Sequence, residues 1–167
     1  VTLNLDLASD PISNGDLGAG WKGNGSLTIR NGITVNSQSG YIGYLPGSTG
    51  VVTVDGTGST WTSGYLYIGN SGRGTLNITG GGTVNLTTFT SFIPPSGTLT
   101  LNGGTLNVGG ALAVEGGKLY LEPAGNLNVA AGGAVTVYGG GLLQVNGTHE
   151  QSTAAALLVT GAGSRIS

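Results

Sequence analysis

The stretch GVVTVDGTGSTWT at residues 50–62 decides the fold, because versions of it return along the chain. The related stretches are GSLTIRNGITVN at 25–36, GTLNITGGGTVN at 74–85, GTLTLNGGTLNV at 97–108 and GKLYLEPAGNLNV at 117–129. Their first glycines stand at positions 25, 50, 74, 97 and 117, so the phrase recurs at nearly regular intervals. A repeat of about 20–25 residues is typical of one coil of a solenoid.

Each repeat contains short segments in which apolar and polar residues alternate, such as Leu27-Thr28-Ile29 and Val52-Thr53-Val54. A period of two places alternate side chains on opposite faces of a β-strand. Glycine and asparagine between the segments supply the positive φ angles that sharp corners need. The pattern predicts an all-β fold, a single-stranded parallel β-helix (β-solenoid) of about seven coils with a triangular cross-section. The general preference for right-handed crossovers predicts a right-handed coil.

The repeat spacing predicts one β-solenoid domain over residues 1–167. Residues 1–16 are expected to form a partial coil or an N-terminal cap, and residues 17–167 the stacked coils. The final residues, LLVTGAGSRIS from Leu157, match VTVDGTGSTWT and align Val159 with Val54. The phrase stops before a third strand, which indicates a fragment of a longer rod.

Charge and composition exclude several functions. The net charge is −2, and the five cations are scattered: Lys22, Arg30, Arg73, Lys118 and Arg165. A nucleic-acid partner is therefore not expected, because such proteins carry a basic patch. No run approaches the ~20 apolar residues of a membrane helix, so no membrane insertion by this segment is expected. The chain has no cysteine, which excludes disulfides and thiolate metal sites.

Residues 40–85, GYIGYLPGSTGVVTVDGTGSTWTSGYLYIGNSGRGTLNITGGGTVN, carry a family signature. Its YIG segment, Gly-Ser-x-Gly turn, VTVDGxGSTWT phrase and LYIG strand resemble the repeat associated with bacterial type V secretion (autotransporter) and PEP-CTERM proteins. Leu17 and Leu66 superpose at an offset of two coils, as do Val35 and Val84. The resemblance implies a right-handed β-helical passenger, secreted or displayed on the cell surface of a Gram-negative bacterium. It implies neither an activity nor catalytic residues.

An enzyme on this fold would need converging carboxylates with a basic or histidine partner. The acidic residues are Asp6, Asp10, Asp16, Asp55, Glu115, Glu122 and Glu150. The first three are expected in a solvated end, Asp55 in a turn where it bonds local backbone, and Glu115 and Glu122 at separate corners. His149 and Glu150 lie in a polar loop without a second histidine, an Asp or a Cys to complete a site. We therefore expect no catalytic residues, no metal and no cofactor.

Outward-facing columns form a second kind of candidate surface. One predicted column contains Thr28, Thr53, Asn77, Thr100 and Tyr120, and another contains Thr34, Thr83, Asn107 and Asn128. A flat two-column threonine array would suit an ice-binding solenoid. The interruptions by Asn and Tyr favour plain cross-strand stacking instead.

Aromatic residues concentrate in the second coil. Tyr41, Tyr44, Tyr65 and Tyr67, called here the tyrosine patch, are the candidate surface-contact residues, while Trp61 between two threonines is expected to point inward. Outward tyrosines can contact a glycan or a protein, but they also belong to the repeat phrase and could pack corners.

The sequence thus predicts a non-catalytic structural or adhesive segment, a rigid stalk or surface-contact module. Expected partners are a host or environmental surface, a glycan or a neighbouring β-helix. The alternatives are a carbohydrate-active enzyme on a parallel β-helix and an ice- or surface-binding β-solenoid.

Overall fold

The alternating segments fold as short strands, and the Gly- and Asn-rich segments between them fold as corners. The computed structural model describes residues 15–147 and 156–167. These residues form a parallel β-solenoid of about six turns, which confirms the predicted all-β, parallel fold class. Each coil passes through three faces, named A, B and C in the order in which the chain reaches them. The handedness of the coil stays a prediction.

Face A contains the first strand of each coil, and two of its strands are the second halves of longer ones. Its strands are β1 (Asp16–Ala19), the ends of β3 (Thr34–Ile42) and β5 (Thr60–Ile68), β8 (Thr90–Ile93), β11 (Ala111–Glu115), β14 (Ala134–Tyr138) and β16 (Ala156–Val159).

Face B is a seven-stranded sheet. Its strands, in spatial order, are β2 (Asn24–Ile29), β4 (Thr49–Asp55), β6 (Arg73–Thr79), β9 (Gly97–Asn102), β12 (Lys118–Leu121), β15 (Leu142–Val145) and β17 (Arg165–Ile166).

Face C contains the first halves of β3 and β5, followed by β7 (Thr83–Leu86), β10 (Thr105–Val108) and β13 (Asn126–Val129). Because β3 and β5 continue through the corner from face C to face A, the two faces share one ten-stranded sheet.

The strand register sets the length of each coil. Asp16 pairs with Ser39, and Ser39 pairs with Tyr65, so the second of these coils is slightly longer than the first. Leu17, Gly40 and Leu66 stack in one column, as do Val35, Trp61 and Val84. The predicted two-coil offset is therefore confirmed. The coils differ in length at their corners, while equivalent residues of successive strands remain paired.

The core is a column of stacked apolar side chains. On face B, Val52, Leu76 and Leu99 are directly paired in successive strands, and each is 0% exposed. Equivalent apolar side chains of neighbouring coils therefore pack against each other. Burying one Leu or Val side chain completely stabilises the folded state by about 1.5–3 kcal/mol relative to leaving it exposed.

The sequence Gly-x-Gly-Ser forms a corner at two places in the chain. In residues 56–59 it joins face B to face C, and the Ser59 Oγ accepts a hydrogen bond from the Gly32 nitrogen of the preceding coil at 3.1 Å. In residues 161–164 it joins face A to face B, and the Ser164 Oγ accepts from the Gly140 nitrogen at 3.1 Å. Both glycines of each motif have positive φ.

The alignment of Val159 with Val54 therefore matched the corner but not the face. Val159 lies in β16 and pairs with Val137 on face A, whereas Val54 lies in β4 on face B. The motif thus forms the same turn at two different corners of the coil. Of the predicted N-terminal segment, Asp16 already belongs to β1, and residues 1–14 lie outside the described residues.

Candidate contact surface

The structure brings the four residues of the tyrosine patch together on the outside of face A. Tyr41 and Tyr67 are paired in register, with ring centroids 5.9 Å apart and planes inclined by 9°. The Tyr44 ring lies 4.7 Å from Tyr41, and the Tyr65 ring lies 6.2 Å from it, both edge-on. Offset-stacked and edge-to-face pairs at these distances are the favoured aromatic geometries.

Three more rings extend the patch beyond its sequence prediction. Phe92 stacks on Tyr67 at 5.0 Å, Trp21 stacks on Tyr44 at 4.2 Å, and Phe89 meets Tyr65 edge-on at 6.0 Å. We call the seven rings together the aromatic stack. The two phenylalanines were missed because neither belongs to a YIG phrase. The one signal for Phe92 is its separation from Tyr67 along the sequence, which equals the length of one coil.

Exposure differs across the aromatic stack. The side chains at its two edges are the most open, Trp21 at 45% and Phe89 at 58%. Tyr41, Tyr67 and Phe92 are half-buried, because the faces of these stacked rings cover one another. The middle of the stack therefore presents ring edges and hydroxyls, while its borders present the exposed Trp21 and Phe89.

Two tyrosine hydroxyls in the patch share a hydrogen bond. The Tyr41 and Tyr65 oxygens are 3.0 Å apart. This bond, together with burial, raises the pKa of Tyr41 to about 12. The negative charges of ionised Tyr65 and Asp16 add to the rise, since each disfavours a second anion. The patch is therefore uncharged at Tyr41 over the physiological pH range.

Trp61 belongs to the core, as the sequence predicted. Its side chain is 0% exposed, and its Nε1 donates a hydrogen bond to the Ser37 Oγ at 3.0 Å. Gly40 leaves room for it: a Cβ there would lie 2.7 Å from the Trp61 Cζ2 and 2.3 Å from the Leu66 Cδ1. Indole and glycine in adjacent coils therefore fit together as a pair.

The predicted outward column on face B is confirmed. Thr28, Thr53, Asn77, Thr100 and Tyr120 pair in succession through the registers of β2, β4, β6, β9 and β12. Each aligned pair lies on the outer side of the sheet.

The predicted column on face C is wrong, because it joined two neighbouring columns. Thr34 and Thr83 belong to one column, with Thr60 between them and Thr105 beyond. Asn107 and Asn128 belong to the next, two residues further along each strand, together with Asn85 and Thr62. A shift of two residues preserves the face, so alternation alone could not separate the columns.

The second column on face C forms a chain of hydrogen bonds, the asparagine ladder (Asn85, Asn107 and Asn128). The Asn128 Nδ2 donates to the Asn107 Oδ1 at 2.9 Å, and the Asn107 Nδ2 donates to the Asn85 Oδ1 at 2.8 Å. The Asn85 Nδ2 then donates to the Thr62 Oγ1 at 3.1 Å. Every amide in the ladder thus points the same way along the rod.

The described acidic residues lie apart. Asp55 was expected to bond its local backbone, but its Oδ1 instead accepts from the Thr79 Oγ1 of the next coil at 2.7 Å. The Glu122 Oε2 accepts from the Asn146 Nδ2 at 3.0 Å. Glu115 ends β11 beside Tyr138, whose pKa is raised by burial and then by that carboxylate.

Asp16 is exposed in β1. Within residues 15–147 and 156–167, no group of three or more His, Cys, Asp or Glu side chains could hold a metal ion. Asp6, Asp10, His149 and Glu150 lie outside the described residues. In the part of the chain described, there is also no helix that is long and apolar enough to cross a membrane.

Register and side-chain ladders make the chain a parallel β-solenoid protein whose coils are tied to one another on all three faces. The chain is 34% identical over 106 residues to the uncharacterized lipoprotein YdeK of Escherichia coli strain K12. That alignment covers 58% of this chain and 8% of the relative. No protein-family model matches the chain, and no solved structure matches it.

Proposed function

We propose that this chain is a non-catalytic structural segment of a secreted or cell-surface bacterial protein, serving as a rigid stalk with a contact surface on face A. The relative described as a lipoprotein supports a location at a Gram-negative envelope. The YIG and VTVDGxGSTWT phrases support the narrower proposal of an autotransporter or PEP-CTERM-associated passenger.

The observation that carries the stalk role is the linkage of neighbouring coils by side chains as well as backbone. Face A contributes the aromatic stack, face B the bond from Thr79 to Asp55, and face C the asparagine ladder. Bending the rod would open these contacts on one side. A stack of this kind resists bending without any ligand.

The contact role rests on the aromatic stack. Large exposed aromatic side chains grouped on one face of a soluble protein are typical of interaction sites. Trp21 and Phe89 are the members with the most exposed area.

Two other functions have less support. An enzyme would need converging carboxylates, whereas Asp55, Glu115 and Glu122 lie at the ends of different strands, each with a structural partner. An ice-binding array would need two adjacent columns of free hydroxyls. One such column on face C consists of Thr34, Thr60, Thr83 and Thr105, but the next column is the asparagine ladder, whose amides bind one another.

Antibody labelling of producing cells tests the proposal. An antibody against the purified chain should label intact cells as strongly as permeabilised ones. The purified chain should release no reducing sugar from a panel of neutral and acidic polysaccharides. Labelling that requires permeabilisation would refute the surface location, and polysaccharide cleavage would refute the non-catalytic role.

The contact surface is tested by the fluorescence of Trp21, since Trp61 is fully buried. Binding to a cell or glycan surface should protect Trp21 from acrylamide quenching. A Trp21→Phe variant, which keeps only the buried indole, is the matched control. Equal quenching with and without the surface would show that face A makes no contact.

A further inference from the structure

An open groove runs beside the asparagine ladder where face C turns toward face A. It has a volume of about 500 Å³ and is lined by the equivalent three residues of successive coils, 85–87, 107–109 and 128–130. The first residue of each triplet is a ladder asparagine, and the third residues are Thr87, Gly109 and Ala130. Volumes of this size are typical of small-molecule sites.

The ladder leaves hydrogen-bonding capacity along the groove. A carboxamide has two N–H donors and an oxygen with two lone pairs. Asn107 uses one N–H toward Asn85, and its oxygen accepts one bond from Asn128. Each amide therefore retains a donor and an acceptor, held in a fixed direction by its neighbours. Because parallel strands are about 4.8 Å apart, the three amides span about 10 Å.

The lining determines what kind of ligand fits. None of the nine lining residues is charged, and none is aromatic. An ionic ligand would find no counter-ion there, whereas a neutral ligand needs none. Sugar hydroxyls both donate and accept, and adjacent hydroxyls match the donor and acceptor of a carboxamide. The repeat of one amide per coil suits a short linear polymer lying parallel to the rod.

We propose that the asparagine groove binds a neutral oligosaccharide along the rod axis, with Asn85, Asn107 and Asn128 recognising its hydroxyls. This site lies on a different face from the tyrosine patch and does not depend on the stalk role. The proposal gives the ladder asparagines a second role, ligand binding, beside their role in stabilising the stacked coils.

Calorimetric titration and side-chain amide NMR test the site. The probes are cellotetraose, maltotetraose and chitotetraose, with oligogalacturonate as the acidic comparison. At least one neutral probe should bind and shift the amide signals of the ladder asparagines, and oligogalacturonate should not. Asn107→Ala should weaken that binding about tenfold, since it removes the central amide. Asn77→Ala on face B, an outward asparagine in an equivalent column, should leave binding unchanged.

Ala130→Trp keeps the test decisive if Asn107→Ala destabilises the stack. Ala130 is exposed and lies outside the ladder, so an indole there should fill the groove and abolish binding without lowering stability. Binding of none of the neutral probes would overturn the proposal. So would binding that both Asn107→Ala and Ala130→Trp leave intact. Either result would leave the proposed surface location, which antibody labelling tests, unaffected.

Discussion

Replacing Gly40 with alanine should destabilise the solenoid by about 1–3 kcal/mol, the usual cost of overpacking a rigid core. The new Cβ would lie 2.3 Å from the Leu66 Cδ1, 2.7 Å from the Trp61 Cζ2 and 2.9 Å from the Trp61 Cη2. Both neighbours are buried, at 1% and 0% exposure, so neither can move aside freely. Gly40 has no positive φ, so the cost is steric and not a backbone effect.

Urea unfolding followed by far-ultraviolet circular dichroism measures this cost. Gly23→Ala is the matched control, because a Cβ at Gly23 meets no atom within 4 Å and its φ is not positive. That change should be neutral or stabilising by up to about 1 kcal/mol, since it restricts the unfolded chain. If Gly40→Ala were as stable as Gly23→Ala, the described fit between Trp61 and Gly40 would be wrong.

A second measurement assigns the cost to the indole. Trp61→Leu alone should cost about 3 kcal/mol, through lost burial and the lost bond to Ser37. In the double variant, Gly40→Ala with Trp61→Leu, the methyl group of Ala at position 40 occupies part of the space that the indole left. The two costs should then fall short of additivity by about 1–2 kcal/mol. Strict additivity would mean that the two sites do not touch.

The remaining predictions concern ionisation and the core. Tyr41 should ionise at about pH 12 in a spectroscopic titration, and Tyr65→Phe should bring its pKa back toward the ordinary value by removing the shared hydrogen bond. Because the folded pKa exceeds the unfolded one, the stability from this effect is complete below pH about 10 and is lost as the pH rises through 12. An unchanged Tyr41 titration in Tyr65→Phe would contradict the assignment. Leu99→Ala in the core should cost about 2–5 kcal/mol in urea unfolding, while Leu158→Ala, at 53% exposure, should stay within about 0.5 kcal/mol; equal losses would refute the stacked core.

The sequence predicted the coil because its decisive signals are local. Alternation places Leu27 and Ile29 inside, and the spacing of glycines sets the repeat, so register followed from counting residues between like phrases. The pairing of Leu17 with Leu66 at two coils was predictable for this reason. The inward Trp61 was also predictable, since it occupies the position of Val35 and Val84 in neighbouring coils.

Contacts between coils were harder to predict, because corners vary in length. Asp55 reaches Thr79 in the next coil, and no local pattern indicates that partner. Phe92 joins the aromatic stack only because the length of the intervening coil brings it into register with Tyr67. The Gly-x-Gly-Ser corner led to a wrong assignment for a different reason. The same local turn occurs at two different corners, so the similar sequences around Val54 and Val159 lie on different faces.

The direction of the asparagine ladder gives face C a local electrical polarity. Each carboxamide is a dipole comparable to a peptide unit, about 3.5 D, and the three in the ladder point their N–H ends toward the N-terminal coils. The backbone dipoles of a sheet largely cancel, whereas these side-chain dipoles add to roughly 10 D. Beside the ladder, face C is therefore slightly positive toward Asn85 and slightly negative toward Asn128, a local polarity with which a dipolar group bound there would align.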